Sequence, residues 1–238
     1  MVIYLKYENV KQAVFLSRPN RFIANIIVDG REEVCHVKNT SRCKELLYPG
    51  AEIYVQEFDS KSRKTKYDLI SVAKKDYIVN IDSQMPNKVF AQWLDKTKYF
   101  GETVIVKPEC VYGKSRFDFY IETEDFRKIF VEIKGVTLEH DGVCAFPDAP
   151  TDRGVKHLNE LINCIQNGFE AYVFFVVQLQ KANLFVPNIK THALFADTLK
   201  MASDAGVVVK VVNCKVEHDS IVIDDFIDLN LDGGGVFV

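Results

Sequence analysis

The nine residues from Ala171 to Leu179 most constrain what this chain can become. The run is almost continuously apolar, strand-sized, and follows a glycine at 168. A strand without polar alternation is buried on both faces, which calls for a sheet with helices packed above and below it. The run is also the densest in the chain, and no stretch of roughly 18 apolar residues exists to cross a membrane. Met1 to Lys6 lacks the basic-then-apolar layout of a signal peptide. A cytoplasmic protein with no membrane partner is expected. The 238 residues are 47% hydrophobic and 26% charged, which excludes wholesale disorder and leaves room for one large domain or two small ones. Six cysteines without a Cys-x-x-Cys pair read as reduced thiols, not as a disulfide frame or a zinc site.

The first eighty residues follow a different pattern of short strands and turns. Arg21 to Val28 runs into the tight-turn dipeptide Asp29-Gly30, and Glu33 to Val37 returns from it. Arg42 to Leu47 is expected as a short helix stopped by Pro49-Gly50. Ala51 to Phe58, Thr65 to Val72 and Tyr77 to Ile81 complete a small barrel of the OB type, although an SH3-like barrel or an open sheet would show the same pattern. This segment holds 14 Lys and Arg against 10 Asp and Glu, while the remainder holds 16 against 23. Only the first third has a charge balance suited to a polyanion.

Ile81 to Asn87 reads as a boundary, giving a barrel domain over 1–82 and an α/β domain over 83–230, with a disordered tail over 231–238. In the second domain Ser115 to Thr123 and Lys128 to Val136 alternate as strands, Asp152 to Asn167 and Leu194 to Ala205 are amphipathic helices, and Val207 to Val212 is another apolar strand. Strands alternating with helices imply a mixed central sheet.

Within this pattern lies an acid–lysine constellation. If the strands around residues 118 and 132 form a hairpin, its midpoint is position 125, inside the polar Glu124-Asp125 turn. Asp118 then sits across from Glu132, with Lys134 two residues on and facing the same way. Phe117, Phe119, Ile121, Ile129, Val131 and Ile133 are expected on the opposite, buried face. Paired carboxylates repel unless a cation or proton lies between them. A divalent, magnesium-like ion suits such an oxygen site and can polarise a phosphate or activate water, with Lys134 neutralising developing charge. The alternative is an exposed strand face carrying a cross-strand ion pair. Further on, Thr151 or Asp152 caps a helix whose expected stripe is Val155, Leu158, Ile162 and Ile165. Its other side carries Arg153, Lys156, His157 and Glu160, a candidate phosphate contact near a positive helix end.

These segments resemble the sugar fermentation stimulation protein A family over residues 10 to 212. The likeness rests on Arg21-Phe22, His36 with Asn39-Thr40, Pro49-Gly50, and Arg63-Lys64 with Tyr67. In the second domain it rests on Pro86-Asn87, Glu109, Tyr112-Gly113, Ser115 to Phe119, Val131 to Lys134, Phe146 to Ala149, and the run Thr151, Arg153-Gly154, Lys156-His157-Leu158. The resemblance implies an OB-like barrel followed by a PD-(D/E)xK nuclease-like α/β domain, in a family regarded as DNA-binding and linked to sugar-utilisation genes. It implies catalytic Asp118, Glu132 and Lys134, with Glu109, Asp118 and Glu132 as ligands of Mg²⁺ or Mn²⁺. Arg21, His36, Asn39, Arg63, Lys64, Arg116, Arg153, Lys156 and His157 become the candidate nucleic-acid contacts. Two positions depart from the family pattern: Ser41 replaces a common glycine, and His192 stands where an acid is usual. Two functions compete, a DNA-binding protein without turnover and a magnesium-dependent nuclease acting on DNA or RNA. Homo-oligomerisation is left open. No metal is expected at Cys35 and His36, which with Cys43 fall short of four ligands.

Overall fold

A computed structural model describes residues 4–39, 41–59 and 62–233. Thr40, named above, and residues 234–238 of the expected tail lie outside the described residues. β1 (Leu5–Lys6) precedes the strands of the barrel: β2 (Val10–Asn20), β3 (Ile23–Val28), β4 (Arg31–Val37), β5 (Glu52–Glu57), β6 (Tyr67–Lys74) and β7 (Tyr77–Asn80). Both central residues of the β3–β4 turn, Asp29 and Gly30, have positive φ, the backbone that matches the twist of a two-residue hairpin. Antiparallel pairing runs β4-β3-β2-β5-β6-β7, and a parallel β4–β6 contact closes the barrel. Phe15, Ile26, Ile53 and Leu69 fill its interior. The helix expected over Arg42 to Leu47 is absent. Cys43 adopts φ +46 and its carbonyl accepts from the amides of Leu46 and Leu47, which makes a tight turn of this segment.

The second half follows with α1 (Met85–Thr97), β8 (Thr103–Tyr112), β9 (Ser115–Thr123), β10 (Lys128–Val136), β11 (Glu139–His140) and β12 (Val143–Phe146). Then come α2 (Asp152–Gln166), β13 (Glu170–Val177), β14 (Leu184–Pro187), α3 (Ile189–Asp204), β15 (Val208–Glu217), β16 (Ser220–Phe226) and β17 (Asp228–Leu229). Its main sheet has the order β1-β16-β15-β13-β10-β9-β8, with β10, β13 and β15 parallel at the centre. The apolar run is β13. Phe174 and Val176 pack on the α1 side, while Ala171, Val173, Phe175 and Val177 pack on the α2 and α3 side. The absence of alternation in the sequence is thus the signature of a strand covered twice. This is the expected OB barrel followed by an α/β domain with a mixed sheet.

β1, β2, β8, β11, β12, β14, β16 and β17 were not anticipated, and the expected division at 82/83 meets an exception at β1. Leu5 and Lys6 pair with Ile221 and Ser220, so β1 is an edge strand of the second domain's sheet. α2 is also rotated from its expected stripe. Gly154, His157, Leu158, Leu161 and Cys164 are buried, while Val155, Ile162 and Ile165 are only partly covered.

The two halves meet through buried polar groups. The Asn80 amide donates to Gln178 O at 3.0 Å, and Gln178 Nε2 donates to Asn80 Oδ1 at 2.9 Å and to Asp82 O at 3.0 Å. Asp82 is 0% exposed. It receives Lys38 Nζ at 2.6 Å, the Tyr7 hydroxyl at 3.3 Å and the Gln84 amide at 3.0 Å. Without Asp82, Lys38 keeps only the longer contact to Asp68 at 3.6 Å and the Gln84 amide loses its acceptor, so Asp82→Ala is expected to cost about 3–5 kcal/mol in urea unfolding. Asp76→Ala, at an exposed pair with Lys181, should move the midpoint little.

Candidate active site

The β9–β10 hairpin has the register read from the sequence. Lys128 pairs with Glu122, Ile129 with Ile121, Phe130 with Tyr120 and Val131 with Phe119. At the following rung the ladder gives way to a side chain, and Asp118 Oδ2 accepts the Ile133 amide at 2.7 Å. Asn87, in the first turn of α1, donates to Asp118 Oδ1 at 2.7 Å. Asp118 therefore sits in the fork between the strands, held from the α1 side.

Glu132 is served from the other side of the sheet. It is 3% exposed, and its Oε1 receives both Lys134 Nζ at 2.5 Å and His157 Nδ1 from α2. Its Oε2 is buried with no partner. The acid face is thus an interior cluster, not the exposed strand face of the alternative reading. Phe117 belongs to it, packing against Phe130 and His157, whereas Phe119, Ile121, Ile129, Val131 and Ile133 lie on the α1 side. The parting of the strands at Asp118 separates neighbours that strict alternation would keep together. His157, expected on the open face of α2, is buried because a carboxylate and the Arg153 guanidinium satisfy its two ring nitrogens. Arg153 Nε donates to His157 Nε2 at 3.4 Å, which leaves Nδ1 as the donor to Glu132.

The electrostatics separate the two acids. Burial pushes Glu132 up, but the Lys134 charge and the His157 hydrogen bond outweigh it and hold the carboxyl below its ordinary value. Burial and then the Glu132 charge raise Asp118, against the hydrogen bonds from Ile133 and Asn87. Two carboxylates with an orphaned buried oxygen fit a divalent cation, which takes oxygen ligands and completes its shell with water. Among the described residues, no three His, Cys, Asp or Glu side chains are gathered as a ready metal cage. The β8–β9 register puts Glu109 on the rung of Asp118. Its carboxylate instead pairs with Arg116 at 2.9 Å, with both side chains exposed.

The remaining candidates divide by whether their polar groups are already used. Asn39 is buried, donating to Ile81 O and accepting from the Ser41 amide. His36 and Arg63 both engage the buried Asp68, and Arg63 also stacks over Phe58 at 3.9 Å. Lys156 donates to Lys114 O. Arg21 and Lys64 are exposed. Sequence reasoning missed Asn87 as a holder of Asp118, although Pro86-Asn87 carries part of the family likeness.

A carboxyl raised in the folded state contributes fully below the unfolded carboxyl's value, and that contribution is lost as pH rises through the folded one. Asp118→Asn removes this dependence. In chelator, the melting temperature of the variant minus that of the parent should therefore increase between about pH 4 and about pH 8, as circular dichroism would record.

The family model described as the sugar fermentation stimulation protein RE domain matches residues 84–220, and the SfsA N-terminal OB domain model matches 16–81. The sugar fermentation stimulation protein homolog of Clostridium beijerinckii is 53% identical over 227 residues, covering 95% of this chain and 100% of the relative. That of Desulfitobacterium hafniense is 54% identical over 227 residues, covering 95% and 99%. The solved structure of Pyrococcus furiosus SfsA in complex with Ca²⁺ matches with a TM-score of 0.89 at 28% identity, covering 97% of this chain and 100% of that one. Both domain models in order, and full-length relatives at this identity, make the chain a member of the sugar fermentation stimulation protein family.

Proposed function

We propose that this chain is a cytoplasmic nucleic-acid-binding protein with DNA as its partner, and that its C-terminal site is a metal-dependent phosphodiesterase centre. A regulatory role in sugar utilisation, suggested by the name its relatives carry, belongs to the same proposal. One observation carries the enzymatic reading. Glu132 is buried on a central strand with Oε2 unpartnered, beside a second carboxylate whose charge is disfavoured. A module that only binds phosphate gains nothing from two acids that repel it. The complex of the Pyrococcus furiosus relative with Ca²⁺ supports divalent-cation binding by this fold. Among the described residues, no helix is long and apolar enough to cross a membrane.

Asp118 and Glu132 would hold Mg²⁺ or Mn²⁺, with Glu109 as a third ligand on releasing Arg116. When bound, such a cation polarises the scissile phosphate and lowers the pKa of its water. The chain's own residues supply orientation. Ile133 N and Asn87 fix Asp118, while His157 and Lys134 fix Glu132 through one oxygen and leave the other bare. Lys134 places a cation at the same edge, where it would stabilise negative charge developing on the phosphate.

The test combines thermal shift with cleavage of single- and double-stranded DNA and RNA, with chelator controls. Mn²⁺ should raise the melting temperature of the parent, since a ligand bound only by the folded state stabilises it. Glu132→Gln should abolish that shift. Lys134→Ala should retain it while metal-dependent cleavage falls by roughly 10²–10³-fold. No shift and no cleavage by the parent would leave only DNA binding.

A further inference from the structure

Where the barrel meets the second domain there is a cleft of ≈ 520 Å³, lined by Arg18, Asn20, Arg21, Ser41, Arg42, Lys44, Leu47 and Ala149. Its construction begins with Arg18. The guanidinium donates to four carbonyls, Ser41 O at 2.8 Å, Arg42 O at 3.0 Å, Arg21 O at 2.8 Å and Asn39 O at 2.5 Å. One side chain therefore stitches the β2–β3 turn to the segment after β4. Its Nε stays buried and unpartnered, and burial lowers its pKa. The Arg42 amide donates to Asp148 Oδ2 at 3.2 Å, which ties the same segment to the second domain.

Arg18 thus holds three other cations, Arg21, Arg42 and Lys44, at one site. All three are exposed, and none forms a carboxylate ion pair among the described residues. Two acids stand nearby: Asp148, which accepts from the Arg42 backbone amide, and Glu45, and neither forms an ion pair with these cations among the described residues. Four other barrel cations are matched, Lys11 and Lys66 by Glu57, and Lys38 and Arg63 by Asp68. Two exposed aromatics adjoin the cleft in the chain. Phe22, 52% exposed, follows Arg21, whose guanidinium lies 5.9 Å from its ring; Tyr48, 55% exposed, follows Leu47. Cations that track phosphates beside aromatic faces that stack on bases are the two elements of single-strand recognition, because a base can stack on a side chain only when it is unpaired.

We infer that this cleft binds single-stranded nucleic acid, with Arg21, Arg42 and Lys44 on successive phosphates and Phe22 and Tyr48 stacking on bases. The inference rests on the nucleic-acid-binding reading above and assigns it a place and a strand preference. It involves neither Asp118 nor Glu132, and it adds to Arg42 three residues, Lys44, Phe22 and Tyr48, that the sequence did not single out as nucleic-acid contacts.

The experiment is fluorescence anisotropy of the full chain in chelator, with labelled oligo-dT and a labelled duplex of equal length, over a range of salt. The parent should bind oligo-dT more tightly than duplex. Phe22→Ala and Tyr48→Ala should each weaken oligo-dT binding by on the order of tenfold and leave duplex binding unchanged. Arg42→Ala with Lys44→Ala should weaken both and flatten the salt slope for oligo-dT by roughly 1.4. These side chains are exposed, and unchanged melting temperatures would establish that the variants fold. Parent binding that survives all four substitutions would overturn the assignment while leaving nucleic-acid binding intact. A duplex preference lost only with Arg42 and Lys44 would overturn the single-strand preference. No binding of either probe by the parent would overturn both this inference and the reading beneath it.

Discussion

A carboxylate set into the middle of a sheet has lost its water and must be met by charge and hydrogen bonds, or the fold does not tolerate it. Glu132 is such a group, and its neighbours are arranged around that demand. Lys134 supplies the charge from the same strand and His157 the hydrogen bond from α2, and both arrive at Oε1. Their convergence on one oxygen sets the plane of the carboxyl and leaves its second oxygen without a donor. Asp118 is held independently by a backbone amide and by Asn87. The acids are thus oriented before any ligand arrives, which is the condition for a precise site on a rigid scaffold.

A second set of buried polar groups decides which basic residues remain for outside partners. Lys38 and Asn39 serve the junction through Asp82 and Ile81, and Arg63 and His36 serve Asp68. A basic residue whose charge is matched inside the protein contributes little to attracting phosphate. The surplus of the first eighty residues is therefore less evenly available than its count suggests, and much of what is unmatched lies around Arg18.

The hairpin register was legible because Glu124 and Asp125 are polar and lie at its midpoint, so turn and alternation agreed. β13 was legible because burial on both faces leaves an unbroken apolar run. β8 was hidden for the opposite reason. Most of it is exposed, including Val104 and Val111, so it shows neither alternation nor an apolar run. His157 was misplaced because amphipathic reasoning counts histidine as polar, and its partner is 25 residues away on a different element. The split between Phe117 and Phe119 depends on where two strands part, a long-range event with no local mark.

The pairing of β1 with β16 has a consequence for how the molecule is made. Leu5 and Lys6 cannot reach their final places until Ser220 and Ile221 have been synthesised and laid against β15. The barrel, bounded at one end by β1 and at the other by α1, is in effect inserted between the first strand and the remainder of the α/β domain. Its own contacts are nearer in sequence and can be complete early. Closing a loop of this length costs chain entropy that is recovered only on pairing, so β1 belongs to the last assembly step. Leu5 and Lys6 thus form a closing strand, docked after everything between them and their partner has been built.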